Sequence, residues 1–116
     1  MADKIQKEIR RKKLKAPRVK PDQIKKVVLM KFYFTAWEAL FKDKPDDWNP
    51  PLKALLDTHI FCVLAMKNGF IVTGESACVS PENFDRELGE KIALRHAEAK
   101  IWPLLGYEMK SKLAGK

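Results

Sequence analysis

Along the chain, apolar residues recur with two different periods. Val27, Met30, Phe34, Trp37 and Phe41 are spaced by three or four residues, which places them on one helical face. That spacing predicts a helix over residues 22–42, opened by Pro21 with Asp22 in the first turn. The run Val27–Phe34 is also rich in β-branched and aromatic residues, so a strand there is the alternative reading. A loop over Asp43–Pro51 follows, marked by Pro45, Pro50 and Pro51 and by clustered Asp and Asn. Trp48 is stranded in it and is expected to fold back on the core rather than serve as a partner anchor. Leu52, Leu55 and Leu56 suggest one helical turn.

Thr58–Lys67 and Phe70–Val79 then read as two strands joined by Asn68-Gly69, the preferred pair for a two-residue type I′ turn. That turn sets a register in which Lys67 faces Phe70, Val63 faces Gly74, Cys62 faces Glu75 and His59 faces Cys78. One face then carries Ile60, Cys62, Leu64, Met66 and Ile71, and the other carries Phe61, Val63, Ala65, Phe70 and Val72. Both faces are apolar, so the hairpin should be covered on both sides, by helices or by a second subunit. Gly74 marks a bulge or a close approach. Ser80 is a candidate N-cap, with Pro81 at the first position of a long helix over about 81–102. Phe84, Leu88 and Ile92 form one stripe of that helix. Gly89, Ala93, Ala97 and Ile101 form a second, of mostly small residues that allow close approach to the hairpin. Pro103 is expected to end or kink the helix, Gly106 to turn the chain, and Tyr107–Leu113 to close it. The fold class is α+β: an antiparallel hairpin packed by two helices.

Charge changes the picture. The 116 residues hold 23 Lys or Arg against 15 Asp or Glu, a net charge of +8. Residues 1–26 contain eleven of the cations and only three acids, whereas residues 27–116 contain twelve of each. The whole surplus lies in the first 26 residues. This predicts a basic, flexible or helical arm over 1–20 and a single α+β domain over 21–116. Ile5 and Ile9 are spaced for a short helix near Lys4–Lys15, which should be marginal alone and order on a polyanion. Lys4, Lys7, Arg10, Arg11, Lys12, Lys13, Lys15, Arg18 and Lys20 are the candidate nucleic-acid contacts. The bland alternative is a solubilising tail.

Composition excludes a disulfide scaffold, a collagen-like chain, a coiled-coil rod and a wholly disordered chain. Cys62 and Cys78, without a CxxC pair, read as free thiols in a reducing compartment. Val27–Phe41 is too short to span a bilayer and is interrupted by Lys31 and Glu38, so a cytoplasmic protein is expected, without membrane contact. Cys78 and His59 would pair across the hairpin, but no oxyanion donor or orienting group accompanies them, and packing is the expected role. Two Cys and two His without ligand spacing imply no metal, and nothing implies a cofactor. Glu75 is placed on the apolar Ile60–Leu64 face, where a carboxylate needs a cation or backbone donors. Glu75 and Ser76, with Trp48, are therefore the candidate partner or ligand contacts.

Several stretches together resemble one family. These are Lys67-Asn68-Gly69-Phe70, Thr73-Gly74-Glu75-Ser76-Ala77-Cys78 and Pro81-Glu82-Asn83-Phe84-Asp85. With them go Gly89 to Ala93, Ile101-Trp102-Pro103-Leu104, Gly106-Tyr107 and, upstream, Tyr33-Phe34-Thr35-Ala36. Over roughly residues 18–113 the chain is similar to the gene-product-49/66 family of small bacteriophage proteins. The resemblance implies a phage or prophage origin and a role inside the host cell during infection. It supplies no catalytic residue or cofactor to carry over.

The resulting expectation is a non-enzymatic phage accessory protein that binds a host macromolecule. Nucleic acid, or a complex that handles it, is the favoured partner. Inhibition of a host defence protein and sequestration of a small ligand such as a nucleotide are the alternatives. The two-sided apolar hairpin predicts a symmetric homodimer.

Overall fold

The computed structural model describes residues 2–12 and 16–115. Helix α1 spans Ala2–Arg11 and α2 spans Pro21–Val27. Strand β1 spans Val28–Thr35, α3 Ala36–Phe41 and α4 Pro50–Leu56. Strands β2, His59–Met66, and β3, Ile71–Ala77, are followed by a 3-10 turn at Pro81–Asn83 and by α5, Arg86–Ala114. The architecture is α+β. A three-stranded antiparallel sheet in the order β1-β2-β3 lies against the long α5, which packs mainly on β3 and β2.

The continuous helix expected over residues 22–42 is not formed. Its periodic apolar positions are divided among α2, β1 and α3. Val28–Thr35 instead pairs with β2 through Lys31↔Leu64, Tyr33↔Cys62 and Thr35↔Ile60, with a register shift between Val28 and Met30. The β-branched and aromatic run prevails because β2 needs a second neighbour, and a strand there completes its ladder. The chain leaves the sheet at Thr35. Its hydroxyl accepts from the Glu38 N–H at 3.2 Å, while the Glu38 carboxylate accepts from the Thr35 N–H at 2.8 Å. This reciprocal capping box starts α3.

The hairpin is present, but its register differs by one residue from the expected one. The Met66 N–H donates to the Phe70 carbonyl, and the Gly69 N–H donates to the Met66 carbonyl. The connection is thus three residues, Lys67-Asn68-Gly69, with Gly69 at φ 90° and Asn68 Oδ1 accepting from the Phe70 N–H at 3.0 Å. Leu64 consequently faces Val72, Cys62 faces Gly74, Phe61 faces Glu75 and His59 faces Ala77. One residue of slip turns β3 over. Val72 joins Ile60, Cys62, Leu64 and Met66 in the buried core, while Ile71 and Glu75 go to the opposite face.

The buried face meets the small-residue stripe of α5. Ala93, Ala97 and Ile101 are fully buried on it. At Gly74 an added Cβ would sit 2.3 Å from the Ala93 carbonyl oxygen and from the Ala97 nitrogen, so sheet and helix backbones touch there. The other face was expected to be covered as well. Among the described residues no long helix lies over it, and Met30, Phe32 and Ile71 are each about half exposed there. Phe34 stacks on Phe61, and Phe61 on His59, with centroids 5.4 and 4.7 Å apart.

Helix α5 differs from the expected 81–102 helix at both ends. It starts at Arg86, where the Asp85 side chain accepts from the Leu88 N–H at 3.1 Å; Ser80 instead donates to Glu82. It also runs unbroken through Pro103 and Gly106 to Ala114. Pro103 removes one bond to the Ala99 carbonyl. Both residues face solvent, where water can take that carbonyl. Ile101, Trp102 and Leu105 hold the helix to a core that includes Ile24 and Val27, on both sides of the proline.

Candidate nucleic-acid interface

The arm is helical over Ala2–Arg11. Lys4, Lys7, Arg10, Arg11 and Lys12 are exposed on it, and Lys20 is exposed beyond it. Lys4, Lys7 and Arg11 follow i, i+3, i+7 spacing and share one side, with Arg10 beside Lys7. Arg18 Nη1 donates to Gln6 Oε1 at 2.8 Å, folding the linker back on α1. Glu8 pairs with Arg11 and, at 3.6 Å, with Lys12; Asp22 pairs with Lys26 at 3.5 Å. Every ion pair described within residues 1–26 thus uses an acid of the same segment, and among the described residues none ties the arm to a carboxylate of the body. Pairs this exposed contribute little to stability and yield readily to a phosphate. Lys13 and Lys15 lie outside the described residues.

The other candidates do not form one site. Glu75 lies on the open sheet face rather than on the Ile60–Leu64 face, and its carboxylate meets His59 Nε2. Its backbone N–H donates to Nδ1 of the exposed His96 at 2.9 Å. Ser76 points the opposite way and donates to the Gly89 carbonyl at 2.8 Å, tying β3 to α5. Trp48 belongs to a separate aromatic cluster, with its ring centroid 5.4 Å from Phe41 and 6.2 Å from Trp37. Lys44 Nζ stands 5.4 Å over the Trp48 ring. The loop tryptophan folds back as expected and remains 48% exposed. Cys78 is not opposite His59; its thiol donates to the Ser80 carbonyl at 3.1 Å. Burial pushes the Cys62 thiol up to about 11, so it stays protonated and inert. Among the described residues no group of three His, Cys, Asp or Glu is placed to hold a metal.

A polar cluster not anticipated from the sequence lies where β1, α3, α4 and α5 meet. The buried Thr35 hydroxyl donates to Asp57 Oδ1 at 2.8 Å, and Asp57 Oδ2 accepts from Lys53 at 2.5 Å. Arg86 grips both oxygens of Glu38 at 3.1 Å and also reaches Glu90 at 3.1 Å. The Arg86 hydrogen bonds hold the Glu38 carboxyl below its ordinary range, and the Asp57 bond raises Lys53. The capping signature Thr35-Ala36-Trp37-Glu38 was the signal in the sequence that could have located it. No described helix is long and apolar enough to cross a membrane.

Fold and charge distribution together define a small α+β protein with a cationic helical appendage. Residues 19–113 match the family model described as "Phage protein (N4 Gp49/phage Sf6 gene 66) family". The chain belongs to that family, which makes it a bacteriophage accessory protein. No curated protein and no solved structure matches it significantly.

Proposed function

We propose that this phage protein is a non-enzymatic binder of nucleic acid, acting in the host cytoplasm through its N-terminal arm. The observation that carries the reading is the separation of charge: the entire +8 surplus resides in residues 1–26, where Lys4, Lys7, Arg10 and Arg11 of α1, with Lys12 and Lys20 after it, are exposed. Lys4, Lys7, Arg10, Arg11 and Lys12 contact phosphates, with Arg18 and Lys20 extending the track. Each neutralised phosphate releases counterions, so affinity depends steeply on salt. Each neutralised phosphate adds about −0.9 to the slope of log K against log salt on duplex DNA, so Lys4, Lys7, Arg10, Arg11 and Lys12 account for about −4.5 of it. The test is fluorescence anisotropy of labelled DNA and RNA over a salt series. It compares the full chain with a variant carrying Gln at Lys4, Lys7, Arg10, Arg11 and Lys12. Loss of binding and a flattened slope support the reading, and identical curves refute it.

The open sheet face supports a second element of this reading, a homodimer in which two such faces pack together. Met30, Phe32 and Ile71 are exposed on it, and among the described residues of its strands the charged or titratable groups there are Glu75 and His59, already paired. An interface core has this charge-poor character. Light scattering should give twice the mass of the 13.4 kDa chain, and Phe32→Glu should return it to the monomer mass.

A further inference from the structure

Helix α5 and the start of β1 enclose a groove of about 690 Å³. Its floor is aliphatic: Val28, Leu29, Met30, Leu88, Ile92 and Leu94. Four of these are large and exposed, Leu29 by 63%, Leu88 by 55%, Met30 by 53% and Ile92 by 48%. Its rim holds four exposed cations, Lys25, Lys31, Lys91 and Arg95, against one carboxylate, Glu98. Residues 27–116 are neutral as a whole, so Lys31, Lys91 and Arg95, joined by Lys25, are a local concentration of positive charge around an apolar strip.

Four consecutive residues, Val28 to Lys31, line this groove. The register shift between Val28 and Met30 interrupts the alternation of faces here, which lets four successive residues line one groove. The sheet order makes β1 an edge strand. The opposite edge is engaged, since His96 accepts from the Glu75 N–H. Among the described residues, no hydrogen bond is made to the outer edge of β1 between Val28 and Phe34.

We propose that this groove binds an extended acidic segment of a partner protein in which aliphatic and carboxylate side chains are interspersed. The segment lies along the groove rather than as a regular added strand, because Lys31, Leu88, Lys91, Ile92 and Arg95 all stand on the α5 side of the sheet and an added strand would turn every second side chain away from them. Its aliphatic side chains cover Leu29, Leu88 and Ile92. Its carboxylates meet Lys31, Lys91 and Arg95. A second copy of this chain is disfavoured here, because its own Lys31 would face the same cations. Nucleic acid is disfavoured too, because the floor offers no aromatic ring for base stacking and leaves the aliphatic strip uncovered. The site does not depend on the arm's binding to nucleic acid.

The test uses two labelled peptides, one alternating Leu and Asp and one alternating Ser and Asp, titrated into the isotopically labelled full chain. The Leu-Asp peptide should bind about tenfold tighter than the Ser-Asp peptide and shift the amides of Leu29–Lys31. The double variant Lys31→Glu, Arg95→Glu should erase that difference, a loss of about tenfold or more. Both residues are exposed, and an otherwise unchanged amide spectrum confirms that the variant folds. The variant with Gln at the five arm positions should keep the peptide preference, which separates this site from the arm. Equal affinity for the two peptides overturns the proposal, as does a preference that survives charge reversal. An oligonucleotide that displaces the peptide from the Leu29–Lys31 amides also overturns it, in favour of nucleic acid.

Discussion

The arm and the body of this protein are built on opposite principles. The body buries Ile60, Cys62, Leu64, Ala93, Ala97 and Ile101 completely and balances its charges one for one. The arm leaves Ile5 60% exposed and concentrates nine cations against two acids in its twenty residues. One segment gains from excluding water, and the other remains wet and charged. Stability and capture are therefore separable: a change in one region should leave the other property almost untouched.

The largest effect on stability is expected at Gly74. An alanine Cβ would stand 2.3 Å from backbone atoms of α5, and no side-chain rotation relieves that contact. Gly74→Ala should cost about 3 kcal/mol in chemical denaturation, since the helix must move off the sheet. The variant that remains folded should bind nucleic acid as the parent does. Thr35→Ala comes next. It removes the cap of α3 and leaves Asp57 without its hydroxyl donor, and a loss of about 1–2 kcal/mol is expected.

The Arg86–Glu38 pair should give a smaller, pH-dependent effect. Glu38 is held below its ordinary value of 4.5, chiefly by the Arg86 hydrogen bonds. A carboxylate with a lowered folded pKa stabilises the fold above its unfolded pKa and loses that contribution as pH falls through the folded value. Melting temperature should therefore drop more steeply below about pH 4.5 in the parent than in Arg86→Ala. With both side chains 43% exposed, solvent screening keeps the difference modest. Gly89→Ala sharpens the comparison with Gly74. Its new Cβ would meet the Ile60 Cδ1 end at 2.8 Å, which can rotate away, and the helix gains from losing a glycine. A change within about 1 kcal/mol is expected by calorimetry. The five arm substitutions to Gln should move stability least, by about 0.5 kcal/mol or less.

Local patterns in the sequence foretold local features. The hairpin, the small stripe of α5, the basic arm and the return of Trp48 to an aromatic cluster were all legible as spacing or composition. What escaped depended on partners distant in sequence. The period through Val27–Phe41 fits a helix, yet β2 requires a neighbour, and only the assembled sheet decides for β1. Asn68-Gly69 announced a turn but not whether two or three residues close it, and that single residue reversed the faces of Ile71, Val72 and Glu75. Pro103 is a local helix breaker, overridden because Ile101 and Leu105 are held by the core on either side of it. The groove cations were invisible for the same reason: Lys25, Lys31, Lys91 and Arg95 are spread over seventy-one positions and meet only when α5 lies along β1.

Capture by the arm is tested most directly by the salt dependence of nucleic-acid affinity in the parent and in the five-Gln variant, measured side by side. A parent slope steeper than the variant's by about 4.5, with unchanged thermal unfolding, is the predicted result. Parallel slopes of equal steepness would contradict it, and would move the binding surface from the arm to the body.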